Sequence, residues 1–355
     1  MWQLLRPDAI KALEDPLVKK VLPRYVKVAK DELPAKFQLA KRVPIRSFSW
    51  KEHEEGMKKF YKLQERVDRG KTSLKKLKIP KTSLLDLKIF LVREMMKACE
   101  LCEQKCKVNR FKGELGICKV GKECLISSEF VHTGEESYYV PSHTIFFWSC
   151  NMQCIFCQNY SISHRLEPGI KVDSDLLAKI VEKRRAEGCR NLNLVGGEPT
   201  PSLLWILETL KFCEANTPVL WNSNMYMSEK TMKILDGVVD VYLTDFKFGP
   251  GECSKKLTIT KNYWDVVTRN HLIAANQTEL TIRHLILPTH VECCSFPILD
   301  WIARNIKDKC LVNVMDQYYP CYKASDFPEI DRRISAGEYA AVIERAKKLG
   351  INVKD

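Results

Sequence analysis

Residues 144–160 read TIFFWSCNMQCIFCQNY, an apolar run that leads directly into three closely spaced cysteines. The run 144–149 has the length and composition of a buried strand. Cys150, Cys154 and Cys157 follow it, with three and then two residues between them. Thiolates this close on one loop can all reach one iron-sulfur cluster. The stretch therefore predicts a metal site at the end of a strand.

Three cysteines leave such a cluster one ligand short. A [4Fe-4S] cluster ordinarily takes four thiolates, so one iron lacks a protein ligand unless a distant residue supplies it. That iron can be chelated by a small molecule with an amine beside a carboxylate, such as the methionine end of S-adenosylmethionine. The alternative is a zinc knuckle, but structural zinc takes four closed ligands and this triplet lacks one.

Downstream, short apolar runs alternate with amphipathic helical stretches, the pattern of a parallel sheet with helical crossovers. The predicted strands are residues 144–149, 191–195, 218–222, 238–245, 280–287 and 311–318. The predicted helices are residues 173–187, 201–214, 228–235, 263–274, 296–306 and 336–349. Six such units predict an α/β fold, a partial (β/α)6 TIM-type barrel that is open on one side and has its chemistry at the carboxyl ends of the strands.

The second predicted strand ends in Gly196, Gly197, Glu198 and Pro199. Two glycines allow a close backbone approach, and the carboxylate of Glu198 can receive an ammonium group. A glycine turn alone is weak evidence, but this one lies at the same end of the barrel as the three cysteines.

These motifs resemble the radical S-adenosylmethionine superfamily, in which a C-x3-C-x2-C loop with an aromatic residue before the last cysteine is followed by Gly-Gly-Glu-Pro. The segments CIFCQNY, WNSNMY, VDVYLTDFKFG, TIRHLILP and DRRIS are similar to the branch related to pyruvate formate-lyase (glycyl radical enzyme) activating enzymes. The resemblance covers roughly residues 98–350.

The resemblance implies a role for each matched residue. Cys150, Cys154 and Cys157 would ligate the [4Fe-4S] cluster. S-adenosylmethionine would contact Phe156, Gly196, Gly197, Glu198, Asn222, Ser223, Asn224, Asp245 and Lys247. Arg283 and Tyr318, near the ends of the fifth and sixth strands, are candidates for substrate or cofactor contact.

Plainer interpretations stand beside these roles. Asp245 and Lys247 are equally well explained as a structural ion pair. Arg283 and His284 point to opposite faces of a regular strand, so at most one faces the site, and we favour Arg283. Tyr318 is also explained by packing in the core or at the rim.

A second cysteine cluster lies upstream, in CELCEQKCKVNRFKGELGIC. Cys99, Cys102, Cys106 and Cys118 make a four-ligand set, with Cys124 as a possible substitute. A structural zinc, a second iron-sulfur cluster or a single iron, and unliganded thiols all remain open, because soft thiolates suit either metal. We interpret residues 98–143 as a cysteine-rich metal-binding segment and residues 144–355 as the barrel.

Charge is concentrated at the amino end. Residues 1–90 hold 23 Lys and Arg against 11 Asp and Glu, whereas the remaining 265 residues are nearly balanced at 34 and 33. We interpret residues 1–97 as a basic helical extension wrapped on the barrel. Its charge is either a solvated face or a docking surface for RNA or an acidic protein. The chain has no apolar run long enough to span a membrane and no signal-peptide pattern, so we expect a cytoplasmic protein.

The resemblance implies an enzyme that cleaves S-adenosylmethionine reductively to a 5′-deoxyadenosyl radical and abstracts hydrogen from a protein or peptide. A small one-electron donor such as ferredoxin or flavodoxin would reduce the cluster. Three alternatives remain. One is a cobalamin-assisted methyltransferase, although the usual D-x-H-x-x-G cobalamin motif is absent. The others are an RNA-modifying enzyme and a non-catalytic iron-sulfur electron carrier.

Overall fold

The computed structural model describes residues 2–354 and builds them around one sheet of eight strands. The strands are β1 (Leu125–His132), β2 (Ser142–Phe147), β3 (Ile170–Lys171), β4 (Asn191–Gly196), β5 (Val219–Ser223), β6 (Val241–Asp245), β7 (Glu279–Leu285) and β8 (Cys310–Met315). Their order across the sheet is β3-β1-β2-β4-β5-β6-β7-β8. The six strands β2 and β4 to β8 pair in parallel. The predicted partial barrel is confirmed.

Helices cover the outer face of this sheet and fill the amino-terminal part of the chain. They are α1 (Trp2–Leu5), α2 (Pro16–Val21), α3 (Pro23–Ala29), α4 (Lys36–Ala40), α5 (Trp50–Asp68), α6 (Leu84–Lys97), α7 (Tyr160–Ser163), α8 (Ser174–Ala186), α9 (Leu203–Phe212), α10 (Glu229–Leu235), α11 (Cys253–Leu257), α12 (Tyr263–Gln277), α13 (Phe296–Asn305) and α14 (Ala336–Lys348). A π-helical turn, Val291–Ser295, leads into α13. Within residues 2–354, no helix is both long enough and apolar enough to cross a bilayer.

Local sequence explains where several helices begin. Ser83 and Ser335 each cap a helix in a reciprocal box, with Asp86 and Glu338 at the third helical position. Ser228 accepts a hydrogen bond from the backbone N–H of Thr231 at the start of α10. The helices α10 and α14, which follow β5 and β8, are thereby fixed at their amino ends.

Two strands of the sheet were not predicted. β1 and β3 are antiparallel and extend the sheet beyond β2. The side chains of β1 are mostly half-buried, and those of β3 are exposed. Both strands lack the continuous apolar run by which buried parallel strands are recognised.

The basic amino-terminal extension fills the barrel from its amino end. Val18, Leu22 and Tyr25 pack in one apolar cluster with Leu220 of β5 and Leu311 of β8. The strands therefore bury both faces, one against the crossover helices and one against this extension. Because the amino end is filled with side chains, the open end of the barrel is the carboxyl end. Where the boundaries of separately folding units lie stays a prediction.

Candidate functional site

A large cavity of about 1130 Å³ opens at the carboxyl ends of the parallel strands. Predicted site residues that line it are Cys150, Cys154, Phe156, Cys157, Gly196, Gly197, Glu198, Asn222, Asn224, Asp245, Lys247, Arg283 and Tyr318. Ser223 is not on the wall. Residues from six strand ends, spread over 169 positions of sequence, thus meet in one space, because parallel strands end at the same edge of a barrel.

The three-cysteine loop is fixed by backbone hydrogen bonds to neighbouring segments. The N–H of Ser149 donates to the carbonyl of Ile162 at 3.0 Å, and the N–H of Ile155 donates to the carbonyl of Leu257 at 3.0 Å. Ser149 and Gln153 adopt left-handed conformations, with φ of 72° and 51°. The neighbouring segments of the protein therefore hold the three-cysteine loop in one defined conformation.

Polar donors point at the cysteine sulfurs. Cys150 Sγ lies 3.4 Å from the N–H of Met152 and 3.7 Å from the side-chain amide of Asn224. Cys157 Sγ accepts a hydrogen bond from Ser163 Oγ at 3.3 Å. Donors of this kind stabilise thiolates bound to a metal and tune an iron-sulfur cluster.

Burial holds these thiols in the protonated form when no metal is bound. It raises the pKa of Cys150 to about 12 and raises the pKa of Cys154 and Cys157 as well. Buried thiolates need a cation to balance their charge. Three buried or half-buried cysteines on one loop, with donors directed at two of their sulfurs, fit a bound iron-sulfur cluster.

The two glycines after β4 have a different role from the one their sequence suggests. A Cβ at Gly196 would lie 2.1 Å from the carbonyl oxygen of Phe147, and one at Gly197 would lie 2.0 Å from that of Ser149. Gly196 also has a φ of +119°, which side chains disfavour. The close approach is therefore to the chain's own backbone, and it locks the Glu198 turn against the cysteine loop.

Glu198 is buried and already bound on both carboxylate oxygens. Its Oε1 accepts hydrogen bonds from Thr200 Oγ1 at 2.5 Å and Ser223 Oγ at 2.8 Å. Its Oε2 accepts one from the N–H of Asn224 at 2.9 Å. Burial raises the pKa of Glu198, and these donors oppose the rise. Since each carboxylate oxygen has about two acceptor sites, Oε2 keeps one for a donor in the cavity.

Asp245 and Lys247 form an ion pair on the cavity wall. The backbone N–H of Lys247 donates to Tyr263 Oη at 3.0 Å, which fixes the loop after β6. Burial lowers the pKa of Lys247, but the nearby Asp245 and Cys154 raise it by more, so the net shift is upward. The ammonium of Lys247 is therefore a fixed positive charge beside the cysteines.

Arg283 faces the cavity but is engaged by two glutamates that were not predicted. Its guanidinium donates to Glu136 at 2.7 and 2.6 Å and contacts Glu135. Asn313 donates to Glu136 at 2.9 Å, and Asn193 donates to Glu135 at 2.8 Å. The glutamates come from a loop before β2, where nothing in the sequence marks them as inward-facing. The only feature of the sequence that could have drawn attention to them is that two acidic residues are adjacent.

His284 and Tyr318 are held by structural hydrogen bonds. His284 lies on the opposite face of β7 from Arg283, and its Nδ1 is 2.7 Å from the carbonyl of Phe246. Tyr318 donates its hydroxyl to the carbonyl of Ile330 at 2.7 Å. Its ring packs edge-on against Phe156, with centroids 5.8 Å apart. Tyr318 therefore positions Phe156 and offers the cavity its ring.

The second cysteine cluster lies directly behind the three-cysteine loop. Its members Cys99, Cys102, Cys106 and Cys118 line one small pocket together with Asn151. Cys124 does not line this pocket, so its role as a substitute ligand is not supported. Ser149 Oγ donates to the carbonyl of Cys118, and Gln104 donates to the carbonyl of Asn151 at 2.9 Å. The two cysteine sites therefore share one framework.

The comparisons with known proteins agree with this geometry. Residues 144–297 match the family model of the Radical SAM superfamily. The chain is 44% identical over 338 residues to the uncharacterized protein MJ0674 of Methanocaldococcus jannaschii, covering 94% of this chain and 98% of that one.

Solved structures of low similarity were also found. Methylornithine synthase (PylB) is 13% identical with a TM-score of 0.42, covering 93% of this chain and 84% of that chain. Streptococcus suis SuiB bound to S-adenosylmethionine is 14% identical with a TM-score of 0.42, covering 58% of this chain and 47% of that chain. The chain thus spans about half the length of SuiB, and neither likeness enters the assignment. On the family model, residues 144–297 of the chain form a Radical SAM superfamily domain.

Proposed function

We propose that the protein is an enzyme that cleaves S-adenosylmethionine reductively and abstracts hydrogen from a protein or peptide, in the manner of an activating enzyme. The observation that carries this proposal is the meeting of the three thiols of one loop, the Glu198 carboxylate and the Lys247 ammonium in one cavity. Superfamily membership supports enzymatic activity. When bound, a [4Fe-4S] cluster and S-adenosylmethionine supply a 5′-deoxyadenosyl radical.

The chain's own residues bind and orient the nucleoside. Cys150, Cys154 and Cys157 would hold the cluster. Glu198 Oε2 would accept a hydrogen bond from the methionine ammonium through its unused acceptor site. Lys247 would attract the carboxylate of the same methionine. A negative and a positive group for the two ends of one amino acid thus line the same cavity, after β4 and after β6.

The size of the cavity supports a second substrate beside the nucleoside. Sites for one small ligand measure about 300–1,000 Å³, and this cavity is larger at about 1130 Å³. The part of its wall distant from the cysteines is polar, with Arg6, His132, Glu135 and Lys354. A peptide segment that enters between the sheet edges would find hydrogen-bonding partners there.

The four cysteines of the second site line one small pocket, and their soft thiolates would suit a structural zinc or an iron-sulfur centre. Neighbouring sulfurs around a tetrahedral zinc are about 3.8 Å apart. Among residues 2–354, the only three metal-ligating side chains with ligand atoms all within 4.8 Å of one another lie elsewhere, in a group around Cys293. A ferredoxin or flavodoxin would supply electrons, and a reducing, cytoplasmic setting would suit the fifteen free thiols.

The decisive experiment measures 5′-deoxyadenosine. Protein purified and reconstituted anaerobically is incubated with S-adenosylmethionine and dithionite, and the nucleoside is quantified by chromatography. We expect product from the wild type, none from Cys154→Ser, and wild-type amounts from Cys189→Ser, which removes a buried thiol outside the cavity. Mass spectrometry of partner proteins from the same genome then identifies the modified one.

The same experiment separates the alternatives. A wild-type protein that holds its cluster but forms no 5′-deoxyadenosine is an electron carrier, and the proposal fails. Bound corrinoid in the purified protein would indicate the cobalamin-assisted methyltransferase. Salt-sensitive retention of RNA, with an RNA modification and no modified protein, would indicate the RNA-modifying enzyme.

A further inference from the structure

A group of metal-ligating side chains lies outside the cavity. Cys253, His290 and Cys293 bring their ligand atoms within 4.8 Å of one another, and no other three such residues among 2–354 do so. The sulfurs of Cys253 and Cys293 are 3.6 Å apart. That separation is close to the about 3.8 Å between two sulfurs on one tetrahedral zinc.

The imidazole of His290 is oriented as metal-binding histidines are. Its Nδ1 lies 2.7 Å from the carbonyl oxygen of Pro288, so Nδ1 carries the proton and donates it there. The lone pair is then on Nε2. A backbone acceptor on the far nitrogen fixes both the tautomer and the ring plane of a metal ligand. The side chain of His290 is itself buried.

The backbone holds the three ligands together without help from a metal. His290 is the N-cap residue of the π-helical turn Val291–Ser295, which contains Cys293, and the N–H of Cys294 donates to the carbonyl of His290 at 2.9 Å. The loop that leads to Cys253 touches this turn, since a Cβ on Gly249 would lie 2.1 Å from the carbonyl oxygen of Cys293. The ligands therefore come from two loops that are already in contact, one after β6 and one after β7.

We propose that Cys253, His290 and Cys293 form a binding site for a thiophilic divalent cation, zinc above all. Two thiolates and one imidazole are a ligand set that zinc prefers. The fourth position is open to water at the exposed Cys293, or to Cys294, whose sulfur is 3.9 Å from that of Cys293. The cation would join the loop that carries Lys247 to the turn after β7. This site does not depend on the proposed reaction.

Zinc stoichiometry tests the proposal. Full-length protein, loaded anaerobically with iron and sulfide, is titrated with Zn²⁺ against a chromophoric chelator, and bound zinc is counted by mass spectrometry after gel filtration. We expect Cys293→Ser to bind one zinc per chain fewer than the wild type, and Cys189→Ser to bind as much as the wild type. Cys293 is exposed, so its replacement by serine leaves the core intact.

A second measurement guards against a folding defect in the variants. Wild-type protein loaded with ¹¹³Cd²⁺ in place of zinc should give a cadmium resonance of a mixed sulfur and nitrogen site, and His290→Gln should abolish it. Equal zinc content in the wild type and Cys293→Ser would overturn the proposal. So would a Cys253–Cys293 disulfide in the anaerobically purified protein, detected by alkylation without reduction, because it would assign the pair to redox chemistry.

Discussion

Arg283 provides the sharpest test of how the cavity floor is held together. Its side chain is 14% exposed, and its partners Glu135 and Glu136 are 5% and 1% exposed. Removing one partner of a buried ion pair leaves an uncompensated charge and costs about 3–5 kcal/mol. We therefore expect Arg283→Met to lose about that much stability at pH 7.

The pKa of Glu135 gives an independent estimate of the same size. Burial raises this pKa, but Arg283 and His132 outweigh burial and lower it from 4.5 to about 2. A carboxylate with a lowered pKa stabilises the fold above its unfolded pKa, and that stability is lost as pH falls from 4.5 towards 2. The shift corresponds to about 3 kcal/mol at neutral pH.

The variant should reverse this pH dependence. Without Arg283, burial dominates and the pKa of Glu135 rises above 4.5, so the carboxyl group takes up a proton on mild acidification. The stability difference between wild type and Arg283→Met should then shrink as pH falls from 8 to 5.5. Urea unfolding of both metal-free chains, followed by circular dichroism in reducing buffer, measures it.

A surface pair supplies the matched control. Arg184 contacts Glu129 at 2.8 Å, but its side chain is 25% exposed. We expect Arg184→Met to cost at most about 1 kcal/mol, because solvent screens such pairs. A loss below 1 kcal/mol for Arg283→Met, or a stability difference that stays constant with pH, would refute the reasoning about the buried network.

Three further predictions concern the cavity and its neighbour. Gly197→Ala should destabilise the fold by at least about 2 kcal/mol in urea unfolding, because its Cβ meets backbone, whereas Gly251→Ala, with no atom within 4 Å, should have little effect. Glu198→Gln should weaken S-adenosylmethionine binding about 10- to 100-fold by calorimetry, since it removes a charged acceptor; Thr200→Val, which keeps the carboxylate, should bind the nucleoside nearly as well as the wild type. Cys118→Ser should remove the metal of the four-cysteine site from the anaerobic protein; a loss of iron would assign the site to an iron-sulfur centre, a loss of zinc would assign it to zinc, and an unchanged content of both would show that the thiols bind no metal.

Part of this protein could be derived from sequence because the information is local. An apolar run with a charged helix after it specifies a buried parallel strand and its crossover, and all six such strands form where their patterns lie. The cysteine spacing likewise predicts one shared metal site, because three thiols within eight residues must lie on one loop. The Gly-Gly-Glu turn could be placed beside it, since parallel strands end at one edge.

Other features were decided only by tertiary packing. Glu135 and Glu136 face Arg283 because a loop before β2 folds across the barrel, and no periodicity reports the direction of a loop. The amino-terminal extension fills the barrel with Tyr25 and its neighbours, although its composition suggested a basic surface. Cys253 and Cys293 stand 40 positions apart in sequence and meet because β6 and β7 are adjacent strands. Contacts between distant segments form only when the sheet closes. A sequence pattern, in contrast, reflects only the local conformational preferences of the residues that make it up.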